Sequence, residues 1–367
     1  MRIGIDVRKI NDFGIGTYIQ NLVKHLLEFD KQNQYFLFFH HRDIENFSYP
    51  KEQVVKLVNN SPKYSIREHF SLSHQAKKYD IQLFHEPHYT LPYFLECKKV
   101  VSIHDLIHLK FPQNLPAKKA YIYAKFMIGQ AVKKSDKILA GSENTKNDVM
   151  EIFKTNQRKI EVIYYGVDEI FKPINDQNVL ENFRNKYKLP DKYILYSGSV
   201  RKHKNLENAL KAYAMLKDKS YDLVLAGVGL QNQKVLEPML KELKITEKVK
   251  IIPFLDYAEL ALLYNSAAVL FFPTLYEGFG LPVLEAMACG IPVVSSNNSS
   301  IAEVSGDAAV LVYPANLKEM AEALEKVLAE TSLRQRMISL GLERAKIFTW
   351  KKTAEKTLRI YQELLEN

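Results

Sequence analysis

Short apolar runs alternate with segments of helical periodicity along nearly the whole chain. In the first half the runs Arg2 to Val7, Tyr35 to Phe39, Val54 to Val58, Ile81 to Phe84, Val100 to Ile103, Lys137 to Ala140 and Ile160 to Tyr164 read as strands. Helical patterns such as Gly16 to Glu28 and Ala117 to Lys134 lie between them. The order strand, helix, strand predicts βα units and parallel sheets. The pattern weakens through Lys172-Pro173-Ile174-Asn175-Asp176 and restarts with Tyr193 to Tyr196, Leu223 to Ala226, Val249 to Ile252, Val269 to Phe272, Pro292 to Val294 and Ala309 to Val312. This predicts domains over 1–170 and 171–349. A last helix, 350–367, carries Trp350, Ala354, Leu358, Tyr361 and Leu364 at helical spacing and is expected to pack back on the first domain. Two doubly wound domains facing each other would bring their crevices, at the carboxyl ends of strands, onto one shared cleft.

Composition narrows the class. A chain of 367 residues with 47% apolar and 25% charged residues is expected to be soluble and two-domain. No apolar run reaches bilayer-spanning length, and the start reads as a strand rather than a signal peptide, so a cytoplasmic location is expected. Cys97 and Cys289 form neither a metal box nor a disulfide framework, and Cys289 suits a buried helix end. The net charge of +9 sits mostly in residues 1–168, with 25 basic against 18 acidic residues. Such a surface suits nucleic acid, an anionic membrane or a phosphorylated substrate, and a solvated lysine face explains it equally well.

Chemistry concentrates in Glu277-Gly278-Phe279-Gly280-Leu281-Pro282-Val283-Leu284-Glu285. Gly278 and Gly280 allow close approach of backbone to a ligand. Pro282 suits the first helical position, which leaves unpaired N–H groups facing the loop, where a phosphate is attracted. Glu277 and Glu285 then flank an anion site with two hydroxyl-binding acceptors. A second loop, Ser197-Gly198-Ser199-Val200-Arg201-Lys202-His203-Lys204-Asn205, joins a strand to a helix and holds four residues able to carry positive charge.

Glu277 to Glu285, with Pro273-Thr274 before it and Ala286-Met287-Ala288-Cys289-Gly290-Ile291-Pro292-Val293-Val294 after it, resembles the donor-site signature of retaining glycosyltransferases of family 4. The resemblance implies the α/β GT-B fold, two Rossmann-like domains facing a central cleft. It implies that Glu285 binds the ribose of a nucleotide sugar and Glu277 the transferred sugar, with the N–H groups of Phe279, Gly280 and Leu281 on sugar and diphosphate. A carboxylate suits ribose because it accepts from two vicinal hydroxyls at once. Lys204 is assigned to the diphosphate. The arginine that usually follows the glycine is Ser199 here, so Arg201 is its substitute, with His203 the next choice. Gly16, in Gly14-Ile15-Gly16-Thr17, is carried over as a residue beside the diphosphate and acceptor. His104, in Ser102-Ile103-His104-Asp105, is assigned to the donor sugar and Asp105 to loop geometry or the acceptor. His85 is expected to support the acceptor side, Gly227 and Gly229 to lie near the base, and Phe254 to border the base pocket.

The reaction so implied moves a hexose, mannose by likeness, from GDP-mannose or a UDP-hexose to a hydroxyl of a glycan or lipid-linked acceptor, with retention and front-face attack. No Asp-x-Asp triplet occurs, so metal-independent catalysis is expected, with Lys204, Arg201 and the helix terminus in the metal's place. Residues Pro116 to Phe126 mix lysines with aromatics, as interfacial helices do, which suggests peripheral contact with an anionic membrane; a helix packed on its own sheet has the same makeup. Two other classes compete. A nucleotide-sugar 2-epimerase of related fold needs a proton-abstracting pair that the sequence does not display. A non-catalytic binder of anionic polymer would not use Glu277 and Glu285, which repel phosphates, so no nucleic-acid partner is expected.

Overall fold

The computed structural model describes residues 1–115 and 117–366; Pro116 and Asn367, which belong to two of the predicted helical segments, lie outside the described residues. The chain divides into two compact units, one of residues 1–166 with 350–367 and one of residues 167–349.

The first unit is built on seven parallel strands: β1 (Arg2–Asp6), β2 (Gln34–Phe39), β3 (Val54–Val58), β4 (Leu83–Glu86), β5 (Lys98–Ile103), β6 (Lys137–Ala140) and β7 (Ile160–Val162). Their order is β3-β2-β1-β4-β5-β6-β7. The central strands are apolar at consecutive positions because helices cover both faces, and Leu37, Phe38 and Phe39 are all fully buried. The chain leaves β1 toward β2 on one side and returns at β4 on the other, so the sheet changes direction between β1 and β4. Helix Ile66–Lys78 starts with a reciprocal cap. Ser65 accepts from the Glu68 N–H, and the Glu68 carboxylate accepts from the Tyr64 N–H at 2.9 Å. The last helix, Trp350–Glu366, packs on helix Phe13–Phe29. Thr353 fastens it by donating to the Tyr164 carbonyl at 2.8 Å.

The second unit holds β8 (Tyr193–Ser197), β9 (Asp222–Ala226), β10 (Val249–Ile251), β11 (Val269–Phe272), β12 (Val293–Ser296) and β13 (Val310–Val312), all parallel, in the order β10-β9-β8-β11-β12-β13. Its change of direction lies between β8 and β11. Pro292 stands just ahead of β12 and serves the ladder only as an acceptor, from the Leu270 N–H at 2.9 Å. Helix Leu281–Ala288 ends at Cys289 and Gly290, whose φ of +73° is the left-handed turn that stops it. No described helix is long and apolar enough to cross a membrane.

Candidate active site

In the second unit, the loops after β8 and β11 meet at the sheet's change of direction. Lys204 closes the turn Lys202–Lys204 and Glu277 lies in the loop after β11, and their side chains form an ion pair at 2.7 Å. Glu277 is buried, so a partner cation is what keeps its charge tolerable. The loops are sewn together by backbone carbonyls. The His203 carbonyl accepts from the Leu275 N–H and from the Thr274 hydroxyl, each at 2.7 Å, and that hydroxyl lies 3.1 Å from Glu277 Oε1. Asn205, in left-handed conformation at φ +59°, donates to the carbonyls of Pro273 and Pro314. Ser299 accepts from the Glu277 N–H at 3.1 Å, and Ser300 donates to the carbonyls of Glu277 and Phe279.

Gly280 caps the helix at φ +109°, and a Cβ there would stand 2.7 Å from Ile301 Cδ1. Pro282 takes the second helical position, not the first: Leu281 opens the helix because only glycine can hold the preceding left-handed cap. The N–H groups of Gly280 and Leu281 have no acceptor among the described residues. One turn further, Glu285 is buried and accepts from the Tyr264 hydroxyl at 3.0 Å, which lies 3.5 Å from Ser197 Oγ. Burial pushes the Glu285 carboxyl up to about 7; the Tyr264 hydrogen bond and Lys204 pull it down, and Asp168 adds to the rise. A positive cradle with orphan N–H donors between two carboxyl groups can hold an anion joined to a polyol.

The remaining residues predicted in this unit occupy varied settings. Gly227 and Gly229 follow β9 at φ +74° and +81°, with Gly227 against the backbone of Gly198. Ser199 is half-buried, while Arg201 is exposed and its guanidinium makes no hydrogen bond or ion pair among the described residues. His203 is only 2% exposed, which removes it as the next choice for a phosphate, and its carbonyl serves the loop. Phe254 is exposed beyond β10. Phe279 is buried edge-on against Phe348.

In the first unit His104 follows β5. Its Nε2 lies 2.7 Å from the Pro87 carbonyl, which can only accept, so Nε2 carries the proton and Nδ1 accepts from the Tyr165 hydroxyl at 2.6 Å. Burial lowers its pKa to about 4, against a small rise from the Pro87 carbonyl, so the ring is neutral. Both nitrogens are engaged within the unit, and a sugar hydroxyl would have to replace one of these bonds. The Asp105 carboxylate accepts from the Ile107 N–H at 2.9 Å, a loop-shaping bond.

His85 departs from its expected place on the acceptor side. It is fully buried, with Nδ1 2.5 Å from the Tyr361 hydroxyl and Nε2 2.8 Å from Ser102 Oγ, and burial takes its pKa to about 3. It ties the last helix to the sheet. At Gly16 a Cβ would lie 2.4 Å from the Ile10 carbonyl oxygen, so this glycine is needed for close packing of helix on loop. Tyr264, Ser299 and Ser300 had no signal in the sequence, since each acts through a partner about twenty residues or more away.

Comparison with known proteins fits this geometry. Residues 14–170 match the family described as Glycosyltransferase Family 4, and residues 180–344 match Glycosyl transferases group 1. The O-antigen chain mannosyltransferase B of Escherichia coli is 28% identical over 290 residues, 78% of this chain and 75% of that one. Among solved structures, sucrose-phosphate synthase from Thermosynechococcus elongatus superposes with a TM-score of 0.81 at 19% identity, covering 100% of this chain and 99% of that one. HepE of Anabaena, solved in complex with UDP-glucose, gives a TM-score of 0.80 at 15% identity over 99% of this chain and 100% of its own. Those two likenesses concern the fold.

Proposed function

We propose that this chain, which belongs to the GT-B glycosyltransferases related to family 4, moves mannose from GDP-mannose to a hydroxyl of a glycan or lipid-linked acceptor with retained anomeric configuration. The observation that carries the donor half is the Lys204–Glu277 pair at 2.7 Å beside the unpartnered N–H groups of Gly280 and Leu281. Diphosphate oxygens take the N–H groups and share Lys204, and the sugar hydroxyls take Glu277. Glu285, held by Tyr264, accepts from the ribose hydroxyls. Gly227, Gly229 and Phe254 border the base, Arg201 approaches the diphosphate from solvent, Gly16 serves the diphosphate and acceptor, and His104 serves the sugar.

In the reaction the bond from the anomeric carbon to the phosphate oxygen breaks, and its electron pair goes to the diphosphate. The acceptor oxygen bonds to that carbon on the same face, and its proton passes to the departing phosphate oxygen. Lys204 and the helix N–H groups stabilise the charge that builds there, and this electrostatic part replaces a bound metal. Attachment to the cytoplasmic face of a membrane fits the helix Lys118–Lys134. It buries Ala124, Met127 and Ile128 yet leaves Ile122 65% and Phe126 58% exposed beside Lys118, Lys119 and Lys125.

Mannose is supported by what the Escherichia coli relative is called, while HepE, solved with UDP-glucose, supports a UDP-hexose as the second reading. A thermal-shift screen of GDP-mannose, UDP-glucose, UDP-galactose and UDP-N-acetylglucosamine separates them. The largest rise is expected with GDP-mannose. A rise with a UDP-sugar alone would replace the donor, and no rise with any would remove the donor reading. Flotation with vesicles containing anionic lipid tests the membrane contact, which fails if Ile122→Ser with Phe126→Ser floats as the wild type does.

A further inference from the structure

The first unit has its own change of direction, between β1 and β4, and the carboxyl ends of these strands gather ionisable side chains that the donor chemistry does not use. Asp6 ends β1 and is followed by Arg8 and Lys9; Glu86 ends β4 and is followed by His88; Glu68 enters from helix Ile66–Lys78. All six are more than nine-tenths buried. Arg8 Nη2 is 2.6 Å from Asp6 Oδ2 and 3.8 Å from Glu68 Oε2. The Thr90 hydroxyl takes one Glu86 oxygen at 3.4 Å, and Lys9 Nζ donates to the Tyr64 hydroxyl at 2.8 Å. Glu68 Oε1, Glu86 Oε2, His88 Nδ1 and the Tyr123 hydroxyl have no hydrogen-bond partner among the described residues.

Several orphan polar atoms in one small region cost stability that packing does not return. They coincide with the one place in a doubly wound sheet where ligands bind. Two features say which ligand. The charges nearly cancel: burial pushes the Glu68 carboxyl up to about 7 against the pull of Arg8, and pushes Glu86 well above the carboxylate range. An anion would meet carboxyl oxygens, and a cation would meet Arg8 and Lys9. Aromatic rings stand beside these groups. Tyr64 is 45% exposed and held at φ +65°, with its ring 6.3 Å from that of Tyr123 and 6.1 Å from that of His88. A flat ring suits the C–H face of a pyranose while carboxyl and imidazole groups take its hydroxyls.

We infer that Glu68, Glu86, His88, Tyr64 and Tyr123 form a binding site for a neutral hexopyranose residue of the acceptor, entered past Tyr64. This rests on the transferase reading above, and it adds that the acceptor is recognised by an uncharged sugar and not by a phosphate.

Saturation-transfer NMR on the full chain tests it with methyl α-D-mannopyranoside, methyl α-D-glucopyranoside and glycerol 1-phosphate as probes, each with and without saturating GDP. A methyl glycoside is expected to bind in both conditions and to bind Glu277→Gln as tightly as the wild type, which separates this site from the donor's sugar pocket. Glu86→Leu and Tyr64→Ala are each expected to weaken it by about tenfold or more. Glu86→Leu keeps the volume and removes the orphan atoms, so it should melt no lower than the wild type; a merely structural Glu86 would lower the melting temperature. Unchanged glycoside binding in both variants, or binding of glycerol 1-phosphate alone, overturns the inference. If no nucleotide stabilises the chain while the glycoside binds and the variants lose it, the donor reading falls and this one stands. Nucleotide stabilisation without glycoside binding has the reverse meaning.

Discussion

Between β8 and β11 a lysine and a glutamate stand paired at 2.7 Å in the loops beside a helix start with two N–H groups that have no acceptor among the described residues; between β1 and β4 six ionisable side chains are buried, and two of the three carboxyl groups among them are pushed up. The backbone topology at the two places is the same. The side chains at the strand ends differ, and in the proposed reading they set the ligand: an anion joined to a polyol in one unit, an uncharged polyol in the other. A doubly wound sheet thus supplies a position, and the residues there supply the chemistry.

The comparison breaks most readily at Lys204. Lys204→Ala should lower kcat by about 10²- to 10³-fold, because it leaves leaving-group charge uncompensated and Glu277 unpaired. A loss under about threefold in steady-state transfer would move the donor site elsewhere. Backbone strain gives the next effect. Gly280→Ala places a Cβ at φ +109° against Ile301 and should cost about 1–3 kcal/mol in denaturant unfolding, with nucleotide affinity lost as well. Gly16→Ala, which meets the Ile10 carbonyl, should cost as much, and at a residue proposed beside the diphosphate and acceptor it should lower transfer at least as much as nucleotide affinity.

A smaller effect comes from Glu285. The groups facing it are Tyr264, Asp168, Lys204 and Cys289, and burial dominates its rise to about 7. In the proposed role the ionised carboxylate accepts from ribose, so nucleotide affinity should rise about tenfold from pH 6 to pH 8, and Glu285→Gln should flatten that rise. The sign for stability is opposite. The native state binds the proton more tightly than the unfolded chain, so stability falls as pH climbs from the ordinary carboxylate pKa to about 7. At pH 8 Glu285→Gln should therefore gain up to about 3 kcal/mol by denaturant titration. The smallest change is expected at exposed Arg201, where Arg201→Ala should raise the donor KM by about threefold or less. A larger rise would make it a full phosphate ligand.

Much of the architecture is legible because parallel strands covered on both faces read as apolar runs. Val269 to Phe272 and Lys137 to Ala140 coincide with β11 and β6. The glycine cap and the helix after it are legible because glycine and proline punctuate locally. Long-range partners are not. Nothing near His85 announces Tyr361, 276 residues on, so a strand-end histidine that looked open to a ligand proves to be a tie between helix and sheet. Nor does the sequence announce that Tyr165 and Pro87 hold both nitrogens of His104, so that a sugar hydroxyl must replace one of these bonds. Glu68 and Glu86 carry no mark in the sequence. Only the fold brings them beside Asp6 and Arg8, because their meeting depends on strand order rather than on spacing.

The division of labour between the two units is tested most directly by calorimetric titration of GDP and UDP into the wild type, Lys204→Ala and Glu86→Leu. The account predicts that one nucleotide binds the wild type and Glu86→Leu alike and binds Lys204→Ala about tenfold more weakly or worse. Equal binding by Lys204→Ala, or weakening by Glu86→Leu with Lys204→Ala unaffected, would contradict it.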